Sequence, residues 1–455
     1  MFFFIKKTLF RNAFSTFLLP NNIIIMIRTS RTRQILVILT IAILCLLILS
    51  NISLYYKKYY SFMNLDDDDD GDDEDDYEGD SQQEMNPLTK APEKEESLFD
   101  KYIGGTKQMS PDEVEASVEQ IEETTKSKLG VPVFGEFEPV TIEQPPIPHI
   151  PTDFKNIKPL NFRIYSHNIK NGGNHELLPG EQEWTARLVP LAASMRFNTL
   201  VQNSIITLQE VYKYQMLDIM NELNRHEPGK WEYYGRGRID GDEIGEFVPI
   251  LWKAKEWGLV YSDTIWLNEK DPRTSVQGWD AVYVRIASFV TLKHKETNTY
   301  LNVFNSHFDH IGVEAQLGST ELILDKMKEI NQWPSFFCGD LNLEPNLKPH
   351  KKLTSELVSS VELVTPYNRY GHSWSSVTGF QGQVLKEGGQ NIDYIFAPKY
   401  AQSIDKETEC SGNLVFDNID LRLYQYGMLH SKFNGRYISD HRPIVADYVM
   451  SSKCV

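Results

Sequence analysis

The chain has 455 residues, 41% hydrophobic and 24% charged, enough to bury one large core or two ordinary ones. Four cysteines, Cys45, Cys338, Cys410 and Cys454, form no CxxC pair, which excludes a disulfide-held scaffold, a zinc ribbon and a thioredoxin-type redox motif. The net charge of −17 is local: residues 66–80 hold 12 acidic side chains and no base, whereas residues 151–455 hold 37 acidic against 32 basic, without the basic excess that general nucleic-acid binding draws on.

Residues 1–33 are basic, with Lys6, Lys7, Arg11, Arg28, Arg31 and Arg33 and no acid. Residues 34–56 then run without a charge, and about 20 apolar residues cross a hydrocarbon core roughly 30 Å thick. A buried core helix of this composition would need partners on every side, and the acidic run that follows offers none. The expectation is therefore an uncleaved signal anchor, single-pass type II, with the basic end cytoplasmic and the C-terminal bulk lumenal or extracellular. Phe2, Phe3, Phe4, Leu9, Phe10 and Phe14 among the bases also resemble a mitochondrial presequence, so the mitochondrial inner membrane is the alternative, and a start at Met26 would leave only a short basic head. The one sequon, Asn51-Ile52-Ser53, sits at the membrane edge.

Residues 57–152 are expected to form a mostly disordered stalk. The like-charged run repels itself, and Pro139, Pro145, Pro146, Pro148 and Pro151 stiffen its end. Ser110, followed by Pro111, Asp112 and Glu113, predicts a helix to about residue 128, with serine as cap and acids in the first turn. From Leu160 the texture becomes short apolar runs punctuated by Gly, Asn and Asp. Strands are predicted at 162–167, 205–208, 247–252, 282–292, 300–306, 335–338, 392–396 and 444–449, with helices at 184–196, 213–225 and 314–331. Strands with intervening helices over this length define one large α/β domain, 153–455. Trp252 and Trp266, in or beside strands, belong to its core. Trp279 and Trp374 fall in loops and are candidates for a pocket wall or for stacking on a base.

Acids, amides and histidines recur at the ends of these strands. Asn168, Glu210, His307 with Asp309, and Asp340 with Asn342 each follow an apolar run, while Asp393 and the Asp440-His441 pair precede one. Singly, each has an ordinary structural explanation as a cap, a turn residue or a hydrogen-bonded core histidine. Jointly, carboxylates at strand ends can converge on one rim, and hard oxygen donors without cysteine suit Mg²⁺ or Mn²⁺ rather than zinc. Histidines beside such an ion suit phosphoryl transfer.

The segments HNIKNGG at 167, TLQEVY at 207, NSHFDHIG at 305, CGDLNLEPN at 338, NIDYIF at 391 and ISDHRPIVADY at 438 resemble, in order, the motifs of the endonuclease/exonuclease/phosphatase superfamily. GEFVPILWK at 245 and GWDAVYVRIASF at 278 resemble a compact magnesium-dependent subgroup of undefined substrate. The resemblance implies a four-layer α/β sandwich of two mainly antiparallel sheets flanked by helices, and a phosphoesterase. It implies that Glu210, Asn168 and Asp440 bind the metal and that Asn168, Asn342 and Arg285 meet the phosphate. Asp340 would activate water, and His441 paired with Asp393 would stabilise the transition state. His307, oriented by Glu246, would contact another phosphate oxygen. Asp309 and His310 stay open between site and loop. Candidate substrates are a lipid headgroup, a nucleotide or an oligonucleotide, with no obligate protein partner evident. A nuclease of the same fold is one alternative. The other is a catalytically silent binding domain, against which stands the competent residue at every motif position.

Overall fold

The computed structural model describes residues 137–452, apart from 153, 155, 156, 174, 175 and 407–418. The predicted membrane span, the acidic run, the helix at 110–128 and Cys45, Cys410 and Cys454 lie outside the described residues. Among the described residues no helix is long and apolar enough to cross a membrane.

The apolar runs form strands that, in chain order, are β1 (Leu160–Asn168), β2 (Ser204–Gln209), β3 (Trp231–Tyr234), β4 (Ile250–Lys253), β5 (Trp257–Trp266), β6 (Ile286–His294), β7 (Tyr300–His307) and β8 (Ser335–Asp340). There follow β9 (Leu357–Ser359), β10 (Arg369–Gly371), β11 (Asp393–Pro398), β12 (Gln402–Ser403), β13 (Ile419–Met428), β14 (Lys432–Phe433), β15 (Arg436–Tyr437) and β16 (Ile444–Ser452). One sheet has the order β10-β13-β16-β1-β2-β4-β3, with β12 added beside β13; the other has the order β5-β6-β7-β8-β11-β9. β14 and β15 form a separate ribbon.

The sheets pack face to face. Ile164, Ile205, Ile250 and Trp252 of the first share a buried cluster with Val290, Val303, Phe336 and Ile395 of the second. Successive side chains of a strand point to opposite faces, so the neighbours Tyr165, Ile206 and Leu251 face outward. There they pack with helices α1 (Trp184–Asn198) and α2 (Lys213–Asn224) through Trp184, Leu191, Met195, Met216 and Ile219. On the other side Phe289, Phe304, Phe337 and Phe396 meet Ile323, Leu324 and Met327 of α3 (Val313–Ile330) and Leu353 of α4 (Lys348–Glu356). The central strands are covered on both faces, which is why they read as continuous apolar runs without alternation.

Antiparallel pairs predominate, but both sheets are mixed. β1/β2 and β7/β8 are parallel. A parallel pair needs a crossover, and α1 and α3 supply these two. The direction rule places the site. The C-terminal ends of β1, β2, β7 and β8 share one rim with the N-terminal ends of their antiparallel neighbours β4, β6, β11 and β16.

Residues 140–151, which their prolines assign to the stalk, run along the domain instead. Thr141 bridges to Thr274, the Val140 amide donates to Ser275 Oγ, and the Trp333 indole donates to the Pro151 carbonyl. Ile147 and Ile150 join the buried clusters, so aliphatic side chains between the prolines hold this stretch down. β5 and β13 are strands that the apolar-run pattern does not predict. Asp263 in β5 is buried against Arg273 at 2.9 Å, and in β13 the acid and base Asp420 and Arg422 interrupt Ile419, Leu421 and Leu423.

Candidate active site

At the shared rim the amide of Asn168, the last residue of β1, donates from Nδ2 to Glu210 Oε1 and to Asp340 Oδ2, each at 2.9 Å. These contacts join the end of one sheet to the end of the other. Glu210 follows β2 with φ +58°, and Asn342 follows β8 with φ +49°. Left-handed backbone costs non-glycine residues roughly 1–2 kcal/mol each, and here it turns the two chains at the rim. Gly339 in β8 allows the strands to meet there, since a Cβ on it would stand 2.0 Å from the Ser306 carbonyl oxygen.

Glu210 is enclosed by donors. Asn171 Nδ2 donates to its Oε2 at 2.9 Å, and Lys170 Nζ lies 3.5 Å from the same oxygen. Burial opposes its ionisation, but the Lys170 ammonium, the Asn168 amide and the charged His441 outweigh that and hold its carboxyl well below the usual range. Asp340 goes the other way: burial pushes its carboxyl up to about 7, although His441 pulls it down. Two carboxylates bridged by one amide are thus held with opposite proton affinities.

His441 Nδ1 lies 2.9 Å from Asp393 Oδ2, and its Nε2 lies 3.6 Å from Asp340 Oδ2. Burial favours the neutral ring, but Asp393 and Asp340 prevail and raise the imidazole well above its ordinary value. His307 Nε2 stands 3.8 Å from the same Asp340 oxygen. Burial, reinforced by Arg285, drives His307 well below its ordinary value, so the two histidines flanking Asp340 are held in different charge states.

Several expected partnerships take another form. Glu246 Oε2 is 4.0 Å from His307 Nδ1, beyond hydrogen-bond reach, because its carboxylate is engaged by Arg238 at 2.7 Å and Asn171 at 3.1 Å. Asp393 pairs with His441 as the resemblance implies, and the carboxylate beside Arg285 is Asp309, at 3.7 Å. Asp309 itself accepts the amides of Val282, Tyr283, Ile311 and Gly312, a loop-fixing role, and His310 stacks on Tyr283. Asn342 receives its position from Asp340 Oδ1, which accepts its amide, and from the Phe308 carbonyl, to which its side chain donates. Asp440 is held through its carbonyl by the Thr378 and Gly379 amides, and its carboxylate bears electrostatically on Lys170 and His441. Trp252 and Trp266 are buried core residues, Trp279 lies against Gly318 of α3, and Trp374 is half-exposed.

Sequence reasoning gave no role to Lys170, Asn171, Arg187 or Arg238. Lys170 and Asn171 stand inside the HNIKNGG segment and were legible there; Arg187 and Arg238 have no local signal. Arg187 is 1% exposed and donates to the carbonyls of Ile169, Lys170 and Ile438, fixing the loop after β1 to the loop before β16.

Oxygen donors, no thiolate and two facing carboxylates fit a hard divalent cation. Two observations support the fit: Asn168 already presents a donor between Glu210 and Asp340, marking that space as one that takes positive charge, and Asn171 Oδ1 is buried beside them without a hydrogen-bond partner among the described residues. Among the described residues Asp340, Asp393 and His441 also bring ligand atoms within 4.8 Å of one another. Their Nδ1···Oδ2 contact is already made, so an ion there would have to displace it, and the Glu210 side is the better fit.

A helix–sheet–sheet–helix sandwich with an acid, amide and histidine rim defines a class of phosphate-handling folds. The fold is similar to the crystal structure of an endonuclease/exonuclease/phosphatase family protein from Bacteroides thetaiotaomicron, with 26% identity over 64% of this chain and 96% of that one and a TM-score of 0.54. It is also similar to a mannosyl-6-phosphatase from the same organism, with 25% identity over 63% of this chain and 99% of that one and a TM-score of 0.52. An endonuclease/exonuclease/phosphatase from Bacteroides vulgatus shares the fold at 24% identity, 64% and 98% coverage and a TM-score of 0.51. No family model and no curated protein matches the chain. The chain belongs to the endonuclease/exonuclease/phosphatase superfamily.

Proposed function

We propose that this protein is a divalent-metal-dependent phosphoesterase that hydrolyses a phosphomonoester or phosphodiester by in-line attack of water. The observation that carries the reading is the cluster at the rim in which Asn168 hydrogen-bonds Glu210 and Asp340, Asp393 hydrogen-bonds His441, and His441 Nε2 stands 3.6 Å from Asp340. Glu210, Asn168 and Asp440 would hold Mg²⁺, or Mn²⁺, which when bound supplies Lewis-acid charge on the phosphoryl oxygens. Asp340, whose burial raises its proton affinity, takes a proton from water as the water oxygen bonds to phosphorus and the ester P–O bond breaks. His441, charged and held by Asp393, donates to a phosphoryl oxygen and stabilises the charge that develops there. Asn342 and Arg285 hold the phosphate, and His307 meets another of its oxygens. The leaving oxygen is protonated from this acid set or from solvent.

Of the candidate substrates, the neutral balance of residues 151–455 argues against long duplex DNA, and the likeness to a mannosyl-6-phosphatase supports a soluble phosphate ester. The test is the purified full-length chain assayed on bis-p-nitrophenyl phosphate, oligonucleotides, sphingomyelin and inositol phosphates with Mg²⁺, Mn²⁺ or EDTA. Hydrolysis that EDTA abolishes is expected; hydrolysis insensitive to EDTA, or none, refutes the proposal. Residues 34–56 support membrane anchoring with the domain lumenal or extracellular. Protease added to intact microsomes then leaves the domain intact, and its digestion, or import into mitochondria, overturns that orientation.

A further inference from the structure

Arg285, just before β6, is 5% exposed, and its Nε and Nη1 are buried without a hydrogen-bond acceptor among the described residues. Asp309 does not serve them. Its Oδ2 is 3.7 Å from Nε and already accepts two backbone amides, and its Oδ1 accepts two more. A buried donor left without an acceptor forfeits its hydration for nothing in return, more so when it is charged, so each such group calls for an explanation. Here there are four on one side of the site. Arg238 Nε and His307 Nδ1 are likewise buried and unpartnered.

These groups adjoin one another. The guanidinium carbons of Arg285 and Arg238 stand 5.6 and 5.4 Å from the centre of the Tyr283 ring. Arg238 holds Glu246 at 2.7 Å, Glu246 lies 4.0 Å from His307 Nδ1, and His307 Nε2 lies 3.8 Å from Asp340. A continuous path of neighbours therefore leads from the proposed water-activating carboxylate to two guanidinium groups.

We propose that Arg285, Arg238 and His307 form a pocket for the third unesterified oxygen of a terminal phosphate, so that the protein acts on phosphomonoesters in preference to diesters. The inference rests on the phosphoesterase reading and narrows its substrate class. A monoester carries a charge of about −1.5 to −2 at pH 7 and three acceptor oxygens. A diester has one charge fewer, and the position of the third oxygen is taken by an ester oxygen bearing a carbon chain. Set against the Arg285 fork, that chain would bury the unpaired N–H groups against carbon, whereas the third oxygen supplies the acceptor the fold lacks. Guanidinium suits the task because its planar fork meets two oxygens of one phosphate. The reaction is ordinary hydrolysis: water and the monoester give the alcohol and inorganic phosphate, with no other reactant.

The test compares p-nitrophenyl phosphate and a sugar 6-phosphate with bis-p-nitrophenyl phosphate and a dinucleotide, using the full-length protein with Mg²⁺. The wild type should prefer monoesters in kcat/KM by about 10² or more, and Arg285→Gln should narrow that ratio at least tenfold while raising the inhibition constant of inorganic phosphate. Arg285→Lys, which keeps the charge but not the fork, provides the comparison if the glutamine variant does not fold, and should recover only part of the ratio. A wild type that cleaves diesters as well as monoesters, or a variant that loses both equally, overturns the pocket while leaving the phosphoesterase reading standing. A wild type that cleaves none of them refutes both.

Discussion

Replacing Asp393 by asparagine removes the charge beside His441 with almost no change of volume. In the wild type a buried Nδ1···Oδ2 contact of 2.9 Å joins the pair. A hydrogen bond to a charged group contributes about 1.5–3 kcal/mol, and the neutral contact an asparagine oxygen can still accept about 0.5–1.5 kcal/mol. The net loss of about 1–1.5 kcal/mol corresponds to roughly five- to twelvefold in rate at about 1.4 kcal/mol per factor of ten. His441→Ala, which deletes the ring, should cost about 10² to 10⁴. The pH dependence makes the test sharper. Burial alone lowers the His441 imidazole, and Asp393 is the first of the groups that raise it, so the active protonated form persists in the wild type to a pH well above the ordinary histidine value. Without Asp393 the folded value falls, and the alkaline limb of kcat moves to lower pH. Between the new value and the wild-type one the deficit grows about tenfold per pH unit, because the protonated fraction falls by that factor. The assay is kcat and kcat/KM from pH 5 to 10 for both proteins, with circular dichroism as the folding control. Both constants should fall together, since the contact acts in the transition state. A loss below twofold with an unshifted alkaline limb would refute the role of the pair.

Glu210→Ala should raise the Mg²⁺ concentration for half-maximal activity by about tenfold or more, whereas His441→Ala should leave that concentration nearly unchanged; metal titrations of the two variants separate the roles. Ile164, fully buried between the sheets, should cost about 2–5 kcal/mol when cut to alanine. The cost is read as a lower urea midpoint at constant m-value, and a shift worth less than about 1 kcal/mol would contradict close packing of the two sheets there. Burial pushes the Cys338 thiol up to about 12, so it should resist iodoacetamide at pH 8 until the protein unfolds. Peptide mass spectrometry follows that one cysteine, and native-state labelling at the rate of a free thiol would show that the inter-sheet core is open.

The sequence alone carries the elements and the order of the site. Apolar runs locate β1, β2, β7, β8, β11 and β16 because strands covered on both faces need no polar alternation, and the helices α1, α2 and α3 occupy stretches between them. It also places Asn168, Glu210, His307, Asp340, Asp393 and His441 at strand ends. Local pattern is weaker where burial is paired with charge: β5 hides its run behind Asp263, and the alternation of Ile419, Leu421 and Leu423 with Asp420 and Arg422 carries a signal for β13 that a search for continuous runs passes over.

Pairing was decided by tertiary structure. Asn168 reaches Asp340 across 172 residues and His441 reaches Asp393 across 48, and no local period specifies such contacts. Glu246, equally available to His307 and Arg238 on paper, goes to Arg238, and Arg285 Nε and Nη1 find no hydrogen-bond acceptor among the described residues. The parallel pairs β1/β2 and β7/β8 and their antiparallel neighbours bring these strand ends to one rim. Strand direction within the sheet is set by crossover connections and sheet-to-sheet packing, and it is this direction, rather than any residue's own preference, that turns scattered strand ends into one site.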